Sequence, residues 1–494
     1  MSLEQRLRRE LHGWAADVPV RIDPTGLIRH AKRRRASLVV GAAVSAISVS
    51  VVVGLAATGG TSHRSAPVDP GPIPATSALA TPRPTTTTAN AAAAWHGPGS
   101  LAYISRGVLH VPDGTTGADR TIQTQGRPAS PAWSPDKRYL SYLVVPGADP
   151  LDGIPGGVLG PEQGQLWVYE EHSHQSSRLS GGSASSPQWS SLGTLGYLAQ
   201  NTAATTHTEL RAWKPGGRDT VLADLGLTGT FRWSPDGKQI AWTALTGTAT
   251  SRASTLTVGD ADGTHAAARY RLSGSGLLLD AWWPYGRGLL FWVDPQFSGS
   301  LAADGMDLES LANGSQHPLR LGTTLGYSAN VATSNLTGAA IVLGDGRNAW
   351  TREHLTFCNL EDAHCSPPPG LSGLDADPAL AETDATVLFV HGKDQGDTVF
   401  FDPASYRSAY KSRQLWEWGI TGGNPTPLAR AGTGVAAPQV SGGKVLYVRD
   451  GALWLLDLGT DAAPVQVSGP LFAQEPPPNY YGTIAWRDTY AWSP

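Results

Sequence analysis

The apolar and polar positions of this chain follow two different patterns. Residues 38–57, LVVGAAVSAISVSVVVGLAA, form an apolar run uninterrupted by charge. A helix of about 20 residues spans about 30 Å, the thickness of a bilayer's hydrocarbon core. From residue 101 onward the pattern alternates with a period of two, in short runs punctuated by Gly, Pro, Asp and Ser, which predicts many half-buried strands joined by tight turns. FRWSPDGKQIAW, 231–242, contains the whole device: an apolar strand end with a tryptophan, a Ser-Pro-Asp-Gly turn and a second apolar strand.

The device recurs. PAWSPDKRYLSYLV starts at 131, PQWSSLGTLGYLA at 187 and DAWWPYGRGLLFWV at 280, with fainter copies at 329, 377 and 437. Trp133, Trp189, Trp233 and Trp282 stand 56, 44 and 49 residues apart. Each copy is usually followed by a second strand pair, such as QLWVYEEHSHQSSRLS or ALWLLDLGTDAAPVQVS. The unit is thus four antiparallel strands with the period of a β-propeller blade. One four-stranded sheet cannot cover both its faces, whereas sheets packed round an axis give every face a neighbour, with the recurrent Trp between them.

The ends of the ordered part complete the pattern. LAYISRGVLHVPDGTTGADRTIQ opens it as an incomplete unit, and GTIAWRDTYAW, 482–492, closes it as a strand. Pairing the two ends makes one composite unit and removes open sheet edges. The expected fold is therefore an all-β propeller of about eight four-stranded blades, or seven if one faint copy is not a full blade, over 95–494. WSPDGKQIAW followed by a strand pair ending RLS resembles the TolB-type WD40-like propeller repeat. The resemblance covers roughly 101–494, is strong in three or four units and degenerates after 320. It implies a fold and an extracytoplasmic interaction role, and no chemistry. The additional N-terminal domain of TolB has no counterpart, so a Tol–Pal role does not carry over.

The N-terminal quarter divides into three. Residues 1–35 are a short basic tail, with Leu3, Leu7, Leu11 and Trp14 near one helical face and Arg6, Arg8 and Arg9 around the rest. It reads as a topology determinant or as a docking element for a cytoplasmic partner. Lys32, Arg33, Arg34 and Arg35 directly precede the apolar run. The positive-inside rule keeps them in the cytoplasm, making 36–58 a single transmembrane helix with the propeller outside the cell membrane. A cleaved signal peptide is the competing reading, with GLAATGG as its cleavage site. Residues 59–94 have no aromatic residue and are rich in Pro, Thr and Ala, the composition of an extended, disordered stalk reaching on the order of 100 Å.

Composition narrows the function classes. Among 494 residues only 16% are charged and the formal net charge is −4, so no basic field exists for gripping nucleic acid. Arg outnumbers Lys 30 to 7, the usage of a GC-rich, actinobacterial type of genome. Cys358 and Cys365, the two cysteines, bracket NLEDAH in a predicted hairpin. Outside the membrane such a pair is expected to be a disulfide rather than a metal site or a nucleophile.

Two sequence features invite a metal reading. YEEHSHQ carries Glu170, Glu171, His172 and His174 but sits where a hairpin turn is expected. GDADGT lacks the third acidic position and distal Glu of a calcium loop. No Gly-x-Ser-x-Gly elbow follows a strand. The expectation is a protein that is not an enzyme, with no catalytic residue, cofactor or metal.

The insertions are more informative. Residues 144–164, 292–305 and 391–413 each follow the second strand of a unit, a position that opens onto one face of a propeller. The third carries Phe400, Phe401, Tyr406, Tyr410, Lys411 and Arg413, aromatic and basic residues of the kind enriched in interfaces. Lengthened loops without function are the plainer alternative. The expected function is a membrane-anchored, extracytoplasmic binding or scaffold protein recognising a protein, peptide or envelope glycan on that face. The alternatives are a transmembrane signal-coupling protein with a regulatory tail, and an enzyme with a loop-built hydrolytic site.

Overall fold

The structure is a computed structural model. It describes residues 84–86 and 95–493, apart from 96, 115, 117, 147–161, 201–206, 249–250, 296–305, 334–338, 345–352, 382–384, 395–402, 421, 473–483 and 485. The chain divides into two units, Met1–Ser65 and Ala66–Pro494. The basic tail and the expected transmembrane helix 36–58 lie outside the described residues. No helix among the described residues is long and apolar enough to cross a membrane.

The second unit is all-β. Among the described residues seven sheets have four strands each in simple up-and-down order, the second sheet starting at Arg127 and the eighth ending at Pro470. The first sheet is composite, running from Pro84–Thr86 through Asp119–Ile122, Val108–Pro112 and Ser100–Ser105 to the C-terminal strand Tyr490–Ser493. The closing pair is antiparallel, with Ser100 opposite Ser493 and Tyr103 opposite Tyr490. Trp492 adds a hydrogen bond from Nε1 to the Pro98 carbonyl at 2.8 Å. Pairing of the two chain ends is thus the physical closure of the propeller, as the incomplete terminal units require. One departure lies at the other edge: Pro84–Thr86, within the segment expected to be an unstructured stalk, forms the fifth strand of this sheet.

The core is distributed between the sheets. Each of eight apolar clusters spans two neighbouring sheets, and the last joins the eighth sheet to the first. Alternation along each strand sends one set of side chains to the preceding sheet and the other to the next. The marker tryptophans fill these spaces and also bond across them. Trp189 donates to the Ala132 carbonyl at 3.1 Å, Trp233 to Gln188 at 3.2 Å and Trp282 to Arg232 at 3.0 Å. Each acceptor is the residue just before the marker tryptophan of the preceding sheet. Trp133 begins the ladder, and its indole nitrogen has no partner among the described residues.

The Ser-Pro-Asp turns repeat in detail. Ser134 Oγ and Asp136, and Ser234 Oγ and Asp236, are 2.6 and 2.7 Å apart. Gly237 supplies the left-handed backbone of the second turn (φ 69°), where Lys137 adopts it in the first (φ 61°). In the sixth sheet the outer strand is only Cys365–Ser366. There the Cys358–Cys365 disulfide joins directly opposed residues of the hairpin, with Cys358 2% exposed in the core. The covalent bond supplements a ladder of two paired residues.

Candidate functional site

The first strands of successive sheets are the inner strands, and several are bent alike. Ser130, Ser186, Asp377 and Ala437 have φ of 48°, 52°, 49° and 47°, and each directly precedes a proline. The pairing register of their strands shifts at or beside these residues. Such bulges re-aim side chains and interrupt pairing, and left-handed backbone at non-glycine residues concentrates at functional sites.

The antiparallel order puts the starts of the first strands, the ends of the second and the starts of the third at one end of every sheet. The three insertions lie between second and third strands, so they open at that end. Ionisable side chains gather there from different sheets. Arg127, at the start of its strand, has Nη2 2.7 Å from both carboxylate oxygens of Glu162, the residue closing the first insertion's undescribed stretch. Beside Glu162 lies Asp488, from the turn Trp486–Thr489 before the closing strand. Its neighbour Arg487 donates to the Pro378 carbonyl at 3.1 Å. The Asp377 carboxylate accepts the Ala437 amide at 2.9 Å, while Tyr490 donates its hydroxyl to the Ala437 carbonyl. Tyr327 completes this group within electrostatic range of Asp488, Asp377 and Arg487.

Next to it, between the sixth and seventh sheets, Glu353 is 2% exposed and accepts from Asn330 Nδ2 at 3.4 Å. Asp375, also 2% exposed, accepts the Leu355 amide at 2.8 Å and holds His391 Nδ1 at 2.7 Å. Further round, Arg232 donates to the backbone carbonyl of Asp280 and to Ser328 Oγ at 3.2 Å.

Burial dominates the electrostatics, because water is withdrawn from more carboxylates than there are cations to match them. Asp488 is pushed up to about 7 by burial and then by the Glu162 charge, against the pull of Arg487. Asp280 is raised to about 6 by burial, opposed by Arg232 and Ser328. Burial lifts Glu353 well above the usual carboxylate range, with Arg413 opposing and Asp377 adding to the rise. Burial likewise lowers the Arg232 guanidinium, and Asp280 opposes it. Burial thus raises the carboxyls of Asp488, Asp280 and Glu353, each opposed by a neighbouring arginine. Among the described residues no group of three or more His, Cys, Asp or Glu could hold a metal ion.

The residues singled out from the third insertion divide. Phe400 and Phe401 lie outside the described residues. Tyr406 stands on the helix Pro403–Ser412, whose last turn carries Lys411 at the surface. Tyr410 and Arg413 are only 5% and 6% exposed, so they belong to the interior end of the insertion and not to its outer surface. Tyr410 packs on Trp486 with ring centroids 6.3 Å apart, and the Arg413 guanidinium lies 5.9 Å from the Tyr410 ring centre. The last turn of the helix and the residue after it point inward, where an amphipathic side chain buries more area than it would on a rim.

Sequence reasoning missed Glu162, Glu353, Asp375, Asp377, Arg487 and Asp488, which lie in four separate stretches of the chain. The one available signal was a residue before proline in the first strands, at Ser130, Ser186, Asp377 and Ala437. YEEHSHQ is a turn, with Tyr169 Oη 3.0 Å from His174 Nδ1 and Glu171 3.0 Å from Arg120. GDADGT is also a turn, in which Asp262 accepts the Thr264 amide at 2.9 Å.

No protein-family model and no curated protein sequence matches this chain. Solved structures resemble it as a β-propeller at low identity. Acylaminoacyl peptidase from Pyrococcus horikoshii is 10% identical with a TM-score of 0.40, over 74% of this chain and 52% of that one. The β-propeller domain of the Trilobed protease from Pyrococcus furiosus is 8% identical with a TM-score of 0.40, over 75% and 98%. TolB from Acinetobacter baumannii is 14% identical with a TM-score of 0.31, over 69% and 67%. The chain thus spans about half the length of the acylaminoacyl peptidase. These likenesses concern the fold alone.

Proposed function

We propose that this chain is a membrane-anchored, extracytoplasmic binding protein whose propeller engages a charged peptide or protein segment at the end where the insertions open. One observation carries the reading: ionisable side chains from separate sheets converge there, and Glu162 and Arg413, near the ends of two of the insertions, turn into that cluster. A surface maintained only for solubility would leave such groups in water, since burying charge costs free energy unless it is compensated. The apolar run 38–57 behind Lys32–Arg35 and the Cys358–Cys365 disulfide support placement outside the membrane.

The test is a crosslinking pull-down from intact cells with the full chain. Deleting 391–413 would remove Tyr410 and Arg413 from the core, so the informative variants are a deletion of 395–402 and the substitution Asp377→Asn. Loss of an extracytoplasmic protein partner in either variant supports the reading. A partner held only by residues 1–35 would make the protein a signal-coupling one. Enrichment of glycan alone would reassign the ligand, and labelling by a hydrolase probe would reassign the class.

A further inference from the structure

Pro84–Thr86 pairs antiparallel with the outer strand of the composite sheet, Pro84 opposite Ile122, Thr85 opposite Thr121 and Thr86 opposite Arg120. The other seven sheets end at their fourth strand. From this pairing, found among the described residues at one of the eight sheet edges, we infer that the outer edge of the composite sheet is a strand-addition site occupied by the chain's own stalk, which straps the stalk to the rim of the propeller.

The sequence suits the role. Thr85–Thr88 is a β-branched run that favours extended backbone. Pro84 opens the strand, where its missing N–H is tolerated at an edge. The next described residue, Trp95, is buried at 1% exposure and bonded to the Gly99 carbonyl at 3.1 Å. The eight residues 87–94 can extend about 30 Å, and four strand spacings across the sheet amount to about 19 Å, so the same chain reaches its own edge. Three paired residues are a weak strand alone, but a short tether supplies an effective concentration in the millimolar range. This inference is independent of the proposed ligand site.

Directly opposed antiparallel residues have Cα atoms about 4.5–5.5 Å apart, within the span of a disulfide. The test is the full-length chain in membranes carrying Thr85→Cys with Thr121→Cys. Peptide mapping without reductant should show a link within one chain, and a control with Thr85→Cys and Ser177→Cys, on the outer strand of the second sheet, should show none. A second readout needs no cysteine. Amides of 119–122 should exchange with solvent about tenfold faster in a Thr85→Pro, Thr86→Pro variant than in the parent, since each substitution removes an N–H and disturbs the strand. Equal linkage to both cysteines, a link between two chains, or unchanged exchange would overturn the strap.

Discussion

Both carboxylate oxygens of Glu162 lie 2.7 Å from a single guanidinium nitrogen of Arg127, 35 residues earlier in the chain. The pair is nearly buried, with side chains 10% and 7% exposed. Removing one partner leaves the other charged and out of water, which costs about 3–5 kcal/mol. Glu162→Gln and Arg127→Met should each lower stability by about that much in urea denaturation. A double Arg127→Met, Glu162→Gln chain should lose distinctly less than the two added together. Strict additivity would mean that the two side chains are not coupled.

The raised Asp488 carboxyl predicts a pH dependence. Its value in the fold is about 7 against 3.8 when free, so the folded chain retains a proton that the unfolded chain has released. The stability associated with this group is full below about pH 4 and is lost as pH rises to about 7. Asp488→Asn should remove up to about 1.4 kcal/mol per pH unit of slope in that window, measured by thermal unfolding at several pH values. An unchanged slope would show that Asp488 is ionised in the fold.

The tryptophan ladder predicts graded losses. Trp282→Phe retains most of the packing but drops the hydrogen bond to Arg232, at a cost of about 1–3 kcal/mol for the unpaired carbonyl and the lost volume. Trp233→Ala should cost about 3–5 kcal/mol. Gly196→Ala tests the same contact from the other side. A methyl there would meet Phe231 at 2.7 Å and Trp233 at 3.0 Å, for a loss of about 1–3 kcal/mol. Chemical denaturation of the three variants should rank Trp233→Ala lowest.

Replacing both Cys358 and Cys365 with Ser should lower stability by about 2 kcal/mol, the value for closing so short a loop. Burial of a polar group at Cys358 adds to the loss. Reduction of the parent protein should give a similar shift in its denaturation midpoint. Absence of any shift would mean that the two paired residues of the outer strand suffice.

The strand and turn pattern was readable because its causes are local. An Asp-Gly turn after a tryptophan imposes its geometry wherever it stands, and the alternating period assigns each strand two faces. The faint copies after residue 320 lack the marker tryptophan, yet Leu355, Val387, Phe389 and Trp418 form the same kind of core between sheets. The burial of Tyr410 and Arg413 was not legible, because a helical face can be assigned only when its neighbour is known. Trp486, 76 residues after Tyr410, is that neighbour.

By itself the sequence determined the repeat, the expected closure by its terminal strands, the apolar run 38–57, the disulfide pair and the shared end of the insertions. Each follows from short-range periodicity or from order along the chain. Only the tertiary structure decided which charged side chains meet. Asp377, Asp488, Glu162 and Glu353 come from four different sheets, and packing of the sheets round the ring brings them into one water-poor region. It also decided that Thr85 faces Thr121, because an edge strand is recognised by the edge it finds and not by its own composition.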